Sequence, residues 1–258
     1  MSQGHKNPEE FEAPITEHLA ELRIRLFRSL VAVVIAMIGA FTQVDFFFDI
    51  FKQPLNKAFP DLKLVALTPT ESFFTAFKIA FLVGFVIASP FVFYQIWKFI
   101  EPALYEEEKK LVVPFVFFTT VFFISGTLFA FFGVLPLAIK FLLTFGYTQL
   151  DVEAMISVSS YISFVVRLIL AFGITFELPV ILSLLARLGL VTPEALTKFR
   201  PFFVVGAFVL AAVLTPPDVV SQVFLAMPLI VFYEISIIMA KILYPRSERS
   251  KSTQEQQQ

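Results

Sequence analysis

The sequence predicts an all-α membrane protein of six transmembrane helices, and three observations carry that prediction. Of 258 residues, 57% are apolar and 16% charged, where a soluble domain has about a quarter charged; mean hydropathy is +0.81. The apolar residues fall in long continuous runs instead of alternating, which argues against a β-barrel. At roughly 35–45 residues per span and loop, the length holds about six helices. A large soluble catalytic domain is thereby excluded. With no cysteine in the chain, disulfides, thiolate metal sites and thiol nucleophiles are excluded too.

Residues 1–13 are acidic and polar and lack the basic head, apolar core and cleavage site of a signal peptide, so the first apolar segment stays as an anchor. Thr16–Leu30 reads as an amphipathic helix, with Leu19, Leu22, Leu26 and Leu30 on one stripe, Thr16 as N-cap, and Glu17 and Glu21 in the first turns. The spans then read Ser29–Val44, Ile79–Trp97, Leu111–Ile139, Ser159–Ala186, Pro201–Pro217 and Val219–Ala240. Longer loops are expected over Asp45–Ser72 and Lys140–Ser157, and short connections over Lys98–Lys110, Arg187–Arg200 and Thr215–Asp218. The last two spans have roughly 16–18 residues each, about 24–27 Å against about 30 Å of hydrocarbon, so they stop short or the bilayer thins beside them. Pro90, Pro114, Pro136, Pro179 and Pro228 favour kinks, and bent helices of unequal length enclose a concave, cup-like surface. The chain is expected to form one membrane domain, 1–258, with a polar extension (1–13), a six-helix core (14–240) and a disordered low-complexity tail (241–258).

Basic residues orient the chain, because cytoplasmic loops carry the excess. The side of the termini holds 14 Lys and Arg and the other side five, with Arg167 inside a span. Both termini are therefore expected in the cytoplasm.

Few residues carry chemistry. Glu21 stands four residues before Arg25, the spacing of an ordinary ion pair on a wet helix face. Glu106, Glu107 and Glu108 precede two lysines, as acids do at a solvated helix start. Tyr94, Trp97 and Tyr105 suit a membrane interface. Glu177 lies well inside the fourth span, where a carboxylate must reach water, find a partner on another helix or stay protonated. Arg167, ten residues away and about 15 Å along the axis, is too distant to pair with it. Lys78 reads as a snorkelling residue. His5 and His18 have no metal-like companions, and no phosphate-cradling, nucleophile-elbow or zinc motif is present, so neither an enzyme nor a bound cofactor or metal is expected.

Five motifs, in order, resemble the TatC family, the multispanning subunit of the twin-arginine protein translocase. They are His18-Leu19-Ala20-Glu21-Leu22-Arg23-Ile24-Arg25-Leu26, Thr68-Pro69-Thr70-Glu71-Ser72-Phe73, and Tyr94-Gln95-Ile96-Trp97-Lys98-Phe99 with Pro102-Ala103-Leu104-Tyr105. Phe176-Glu177-Leu178-Pro179 and Thr215-Pro216-Pro217-Asp218 complete the set, and the match spans about Ile15 to Ala240. The resemblance implies a cup-shaped receptor in the bacterial inner membrane. It would capture twin-arginine signal peptides of folded precursors, assemble with the single-span subunits TatA and TatB into an oligomer, and draw on the proton-motive force. It contacts membrane lipid and no nucleic acid. By motif position Glu21 and Glu108 form the twin-arginine site with Arg23 and Phe99 nearby, and two guanidinium groups suit two carboxylates. Glu177 resembles the family's intramembrane acid on the concave side. Pro54, Glu71, Thr215, Asp218 and Gln222 are expected to dock a partner helix or to serve structure. The alternative is a proton-coupled small-solute transporter with Glu177 as carrier, although no inverted repeat is visible to build alternating access.

Overall fold

Helix α1 runs unbroken from Ile15 to Phe41, so the amphipathic lead-in and the first span are a single element. The structure, a computed structural model, describes residues 15–103, 109–150, 155–214 and 219–244. No proline interrupts α1, and its hydrogen-bond ladder continues from one segment into the next. The leucine stripe faces outward, with Leu19, Leu22, Leu26 and Leu30 all at least 40% exposed. That arrangement fits lipid, which accepts the apolar face and drives polar side chains toward protein.

The expected loop after the first span is largely a helix, α2, Val44–Ala58. Val44, Phe47, Phe48, Phe51, Leu55 and Ala58 recur at three- and four-residue spacing and pack into the core, while Asp45, Asp49, Lys52 and Asn56 take the other face. A two-residue strand, β1 (Leu64–Val65), pairs in parallel with β2 (Ile156–Ser157) in the register Leu64↔Ile156 and Val65↔Ser157. Helix α3, Glu71–Ile100, carries Pro90 without a break.

The second expected long loop is also helical. Helix α4, Val112–Phe129, passes through a π-helical turn, Ala130–Val134, into α5, Leu135–Leu150. The turn stands just before Pro136, which has no N–H for the regular ladder. The fourth span breaks in two: α6, Val158–Thr175, and α7, Leu178–Arg187, are separated at Phe176–Glu177, with Pro179 in the first turn of α7. Helices α8, Pro193–Leu214, and α9, Val219–Leu243, complete the order. Both start or end beyond the expected limits because the helical ladder continues into their charged ends. They remain the shorter spans, each with 22 residues of membrane-compatible helix, where the three preceding spans have 30 to 33.

Six stretches are long and apolar enough to cross a membrane, and they form a bent, cup-shaped bundle. Helix α6 sits at its centre, packed against α3 and α4 and touching α8 and α9, whereas α1 lies almost wholly on α3. The α1–α3 crossing is close at Gly84, where an added Cβ would stand 2.6 Å from the backbone N and Cα of Met37. Only a residue without a side chain permits that approach, and it sets the register of the two helices that carry the site below.

Candidate functional site

On α1, His18, Glu21 and Arg25 follow i, i+3, i+7 spacing and share one face; on α3, Gln95 and Phe99 are four apart and share another. The packing of α1 on α3 turns these polar stripes toward each other at the end of the bundle where α1 begins, the near end. Arg25 donates to a single oxygen of Glu21, Oε1, from Nε at 2.8 Å and from Nη2 at 2.5 Å. Its Nη1 reaches toward the Gln95 Oε1 at 3.4 Å, and Gln95 is buried. The Glu21 side chain is 33% exposed and that of Arg25 20%, so the pair stands in a partly open groove. Among the described residues the Oε2 of Glu21 accepts no hydrogen bond. The His18 ring stacks on Phe99, centroids 4.3 Å apart and planes 19° off parallel, and Lys98 pairs with Glu101 at 2.6 Å.

The structure thus brings Glu21 and Phe99 to one end of one helix pair. It does not bring Arg23, which lies two residues and about 200° round α1 from Glu21 and is exposed. Glu108 lies outside the described residues, as do Tyr105, Thr215 and Asp218. The Glu21–Arg25 pair is the one the spacing predicted; Gln95 is the participant sequence reasoning passed over. Gln95 carried a signal, being an amide one helical turn before Phe99 within an otherwise apolar run. Trp97, expected at the membrane interface, is buried instead: its Nε1 donates to Thr119 Oγ1 at 3.0 Å and its ring stacks on Phe115, tying α3 to α4.

Glu177 is 5% exposed at the break between α6 and α7. Its carboxyl lies against the backbone of Phe123 without reaching hydrogen-bond geometry, and neither oxygen has a partner among the described residues. Of the outcomes open to this acid, a partner on another helix is not found among the described residues. At the break Phe176 N still bonds to the Phe172 carbonyl, but Glu177 N reaches only that of Ile174, Pro179 has no N–H to donate, and the ladder restarts with Ile181 N on the Glu177 carbonyl.

At the far end, Glu71 is 7% exposed. Its Oε2 accepts from the backbone N–H groups of Leu67 at 2.6 Å and Thr68 at 3.4 Å. Its Oε1 accepts from the Ser159 N–H at 2.7 Å and from the Ser157 hydroxyl. Lys78 is not a snorkelling residue: its Nζ donates to Ser159 Oγ at 2.9 Å and Ser163 Oγ at 2.8 Å, joining α3 to α6. Pro54 is buried within α2, and Gln222 is half-buried on α9. No group of three or more His, Asp or Glu side chains among the described residues is placed to hold a metal.

Residues 17–228 match the family model described as Sec-independent protein translocase protein (TatC). The Sec-independent protein translocase protein TatC of Aquifex aeolicus is 49% identical over 229 residues, 89% of this chain and 95% of that protein. The protein of the same name from Escherichia coli K12 is 39% identical over 229 residues, 88% of each. A crystal structure of the twin-arginine translocase receptor TatC superposes with a TM-score of 0.81 at 48% identity, covering 88% of this chain and 99% of that one. None of these supports the solute-transporter alternative.

Proposed function

The chain belongs to the TatC family of Sec-independent protein translocase proteins, a multispanning protein-transport subunit of the twin-arginine translocase, and from that premise we propose that Glu21 receives the paired arginines of a signal peptide. The observation that carries this reading is the contact Arg25 makes. A guanidinium already sits on Glu21 through two donors, next to the stacked ring of Phe99, and leaves one carboxylate oxygen unused. A groove that accepts one guanidinium in this way is chemically suited to another. Glu108 is the second acid on the same reading, with Arg23 nearby on the exposed face of α1. The role is one of binding and passage, with no catalytic step.

The same reading places both termini in the cytoplasm of a bacterium and the chain in its inner membrane. TatA- and TatB-type subunits dock along α8 and α9, and Pro54, Glu71, Thr215, Asp218 and Gln222 dock that partner helix or serve structure. The proton-motive force drives transport by an oligomeric assembly.

Binding of a labelled twin-arginine peptide to the purified full chain tests the site. Glu21→Gln and Glu108→Gln keep shape and remove charge, and each is expected to weaken binding roughly ten- to a hundredfold, while a twin-lysine peptide binds weakly throughout. Wild-type affinity in both variants would place the site elsewhere. For orientation, single cysteines at Ser2, Asn56, Tyr105 and Gln149 in this cysteine-free chain meet an impermeant thiol reagent added outside the cell. Labelling at Asn56 and Gln149 with protection at Ser2 and Tyr105 is expected; the opposite pattern overturns the topology.

A further inference from the structure

We propose that Arg167 holds the headgroup of an anionic phospholipid of the far-end leaflet, whose chains lie in a pocket between α2, α5, α6 and α8. Arg167 is the tenth residue of α6, about 14 Å along the helix from its start. A charge at that depth is costly and calls for a counter-charge or water. The guanidinium has five N–H donors, yet among the described residues only Nε is engaged, at 3.3 Å to the carbonyl of Ser163 on its own helix. It forms no salt bridge among them, and no carboxylate among the described residues lines the space around it.

That space is a pocket of about 390 Å³, walled by Leu55, Ile139, Leu143, Phe164, Val213 and Leu214. Its polar groups lie on α6, with Ser160 two turns before Arg167 on the same face and Tyr161 next to it. The Tyr161 hydroxyl is committed to the Phe51 carbonyl at 2.7 Å, whereas the Ser160 hydroxyl makes no such bond among the described residues. A cation and a hydroxyl above an apolar wall match a phosphodiester above acyl chains, and the planar fork of Arg suits phosphate oxygens.

The length of α8 explains why a lipid headgroup comes within reach. Its last described residues, Val213 and Leu214, line the same pocket, so α8 reaches the level of Arg167. From Pro201 to Leu214 the helix carries no charge, a stretch of about 21 Å against about 30 Å of hydrocarbon. A short hydrophobic stretch draws the leaflet down beside it, which brings headgroups toward the depth of the guanidinium. A net negative headgroup without an amine is preferred, since an ammonium group would face a cation.

Val213→Cys, at the exposed rim of the pocket, can carry the only thiol-linked fluorophore in the full chain reconstituted into phosphatidylcholine vesicles. Brominated phosphatidylglycerol is expected to quench it at roughly tenfold lower mole fraction than brominated phosphatidylcholine. Arg167→Gln should abolish that preference while leaving quenching by phosphatidylcholine unchanged, which also reports that the variant is folded in the bilayer. Arg167→Lys, which keeps the charge and loses the fork, should retain a smaller preference, so the decision does not hang on the Gln variant folding. Added inorganic phosphate should leave the quenching untouched. Equal quenching by the two lipids, a preference that survives Arg167→Gln, or displacement by inorganic phosphate would each overturn the proposal.

Discussion

Glu71 and Glu21 stand at opposite ends of the bundle and are used in opposite ways. Glu71 is 7% exposed, and both of its oxygens are engaged by neutral donors from two chain segments, Leu67–Thr68 and Ser157–Ser159. Those segments flank the β1–β2 pairing, so one carboxylate joins the start of α3 to the start of α6. Glu21 is a third exposed and uses one oxygen, toward a cation on its own helix. An exposed i, i+4 ion pair contributes only about 0.3–0.5 kcal/mol, little enough for an incoming guanidinium to replace it. An acid saturated by backbone donors in a buried place fixes structure, and a half-used acid in a groove is free to exchange partners.

The largest expected effect tests the structural half of that contrast. Glu71→Ala leaves the Leu67 and Ser159 N–H groups and the Ser157 hydroxyl without an acceptor in a buried place. Hydrogen bonds to a charged group contribute about 1.5–3 kcal/mol each and do not simply add, so a loss of roughly 3 kcal/mol or more is expected. Thermal unfolding of the purified chain in detergent should shift down by on the order of 10 °C. A shift within one degree would mean that the Glu71 contacts carry no stability, and the distinction from Glu21 would lapse.

Gly84 lets the contrast be broken from the side of packing. A Cβ there meets the backbone of Met37 at 2.6 Å, and backbone cannot turn aside as a side chain can, so Gly84→Val is expected to cost about 1–3 kcal/mol. Because the same crossing aligns Glu21 and Arg25 with Gln95 and Phe99, twin-arginine peptide affinity should fall with the unfolding temperature. Gly206→Ala, where an added Cβ has open space, is the control expected to leave both unchanged. Peptide affinity that survives Gly84→Val would show that the site does not depend on the register of α1 against α3.

Glu177 sharpens the comparison as a third acid, buried like Glu71 but without its donors. Leaving a carboxyl unpaired in the interior is unfavourable, so Glu177→Leu is expected to stabilise the chain by about 1–2 kcal/mol, read as a higher unfolding temperature. A residue kept against that gradient should serve transport. In cells without their own copy of the subunit, export of a twin-arginine reporter is expected to drop with Leu and to persist largely with Gln, at matched protein levels. Gln failing as badly as Leu would instead make the proton itself the requirement, and full export with Leu would leave Glu177 a structural residue.

Much of this was legible in the sequence, because length and apolar runs are what a bilayer selects. The six spans were readable, as was the shortness of the last two, which lie on either side of the Thr215-Pro216-Pro217-Asp218 motif in the sequence. The α2 helix and the part of α5 beyond Ile139 were read as loop because polar residues interrupt them; in α2 the spacing of Phe47, Phe48, Phe51 and Leu55 marks the helix once it is counted. The leucine stripe of α1 was readable from its spacing, but not the outward direction it takes, since the pattern gives a face and not the medium it meets. The Glu21–Arg25 pair follows from spacing on one helix, whereas Gln95, 70 residues from Arg25, and the Lys78–Ser163 contact, across 85 residues, depend on which helices pack. No local pattern encodes that.

The smallest expected effect is the most discriminating, because it asks what Glu21 does not do. If Arg25 merely occupies Glu21 until a ligand arrives, Glu21→Gln should cost the purified chain no more than about 0.5 kcal/mol, a shift of one or two degrees in unfolding temperature. Glutamine still accepts from Arg25 through its amide oxygen, and the exposed groove lets water solvate what remains. The same substitution at Glu71 has no such relief, since an amide NH₂ would face the N–H groups that the lost oxygen accepted from. Unfolding of the two Gln variants under one set of conditions should therefore differ several-fold in size, with Glu71→Gln the larger. A Glu21→Gln loss as large as that of Glu71→Gln would make the near-end acid a structural residue, and weakened peptide binding in that variant would then report damage to α1 instead of a missing ligand contact.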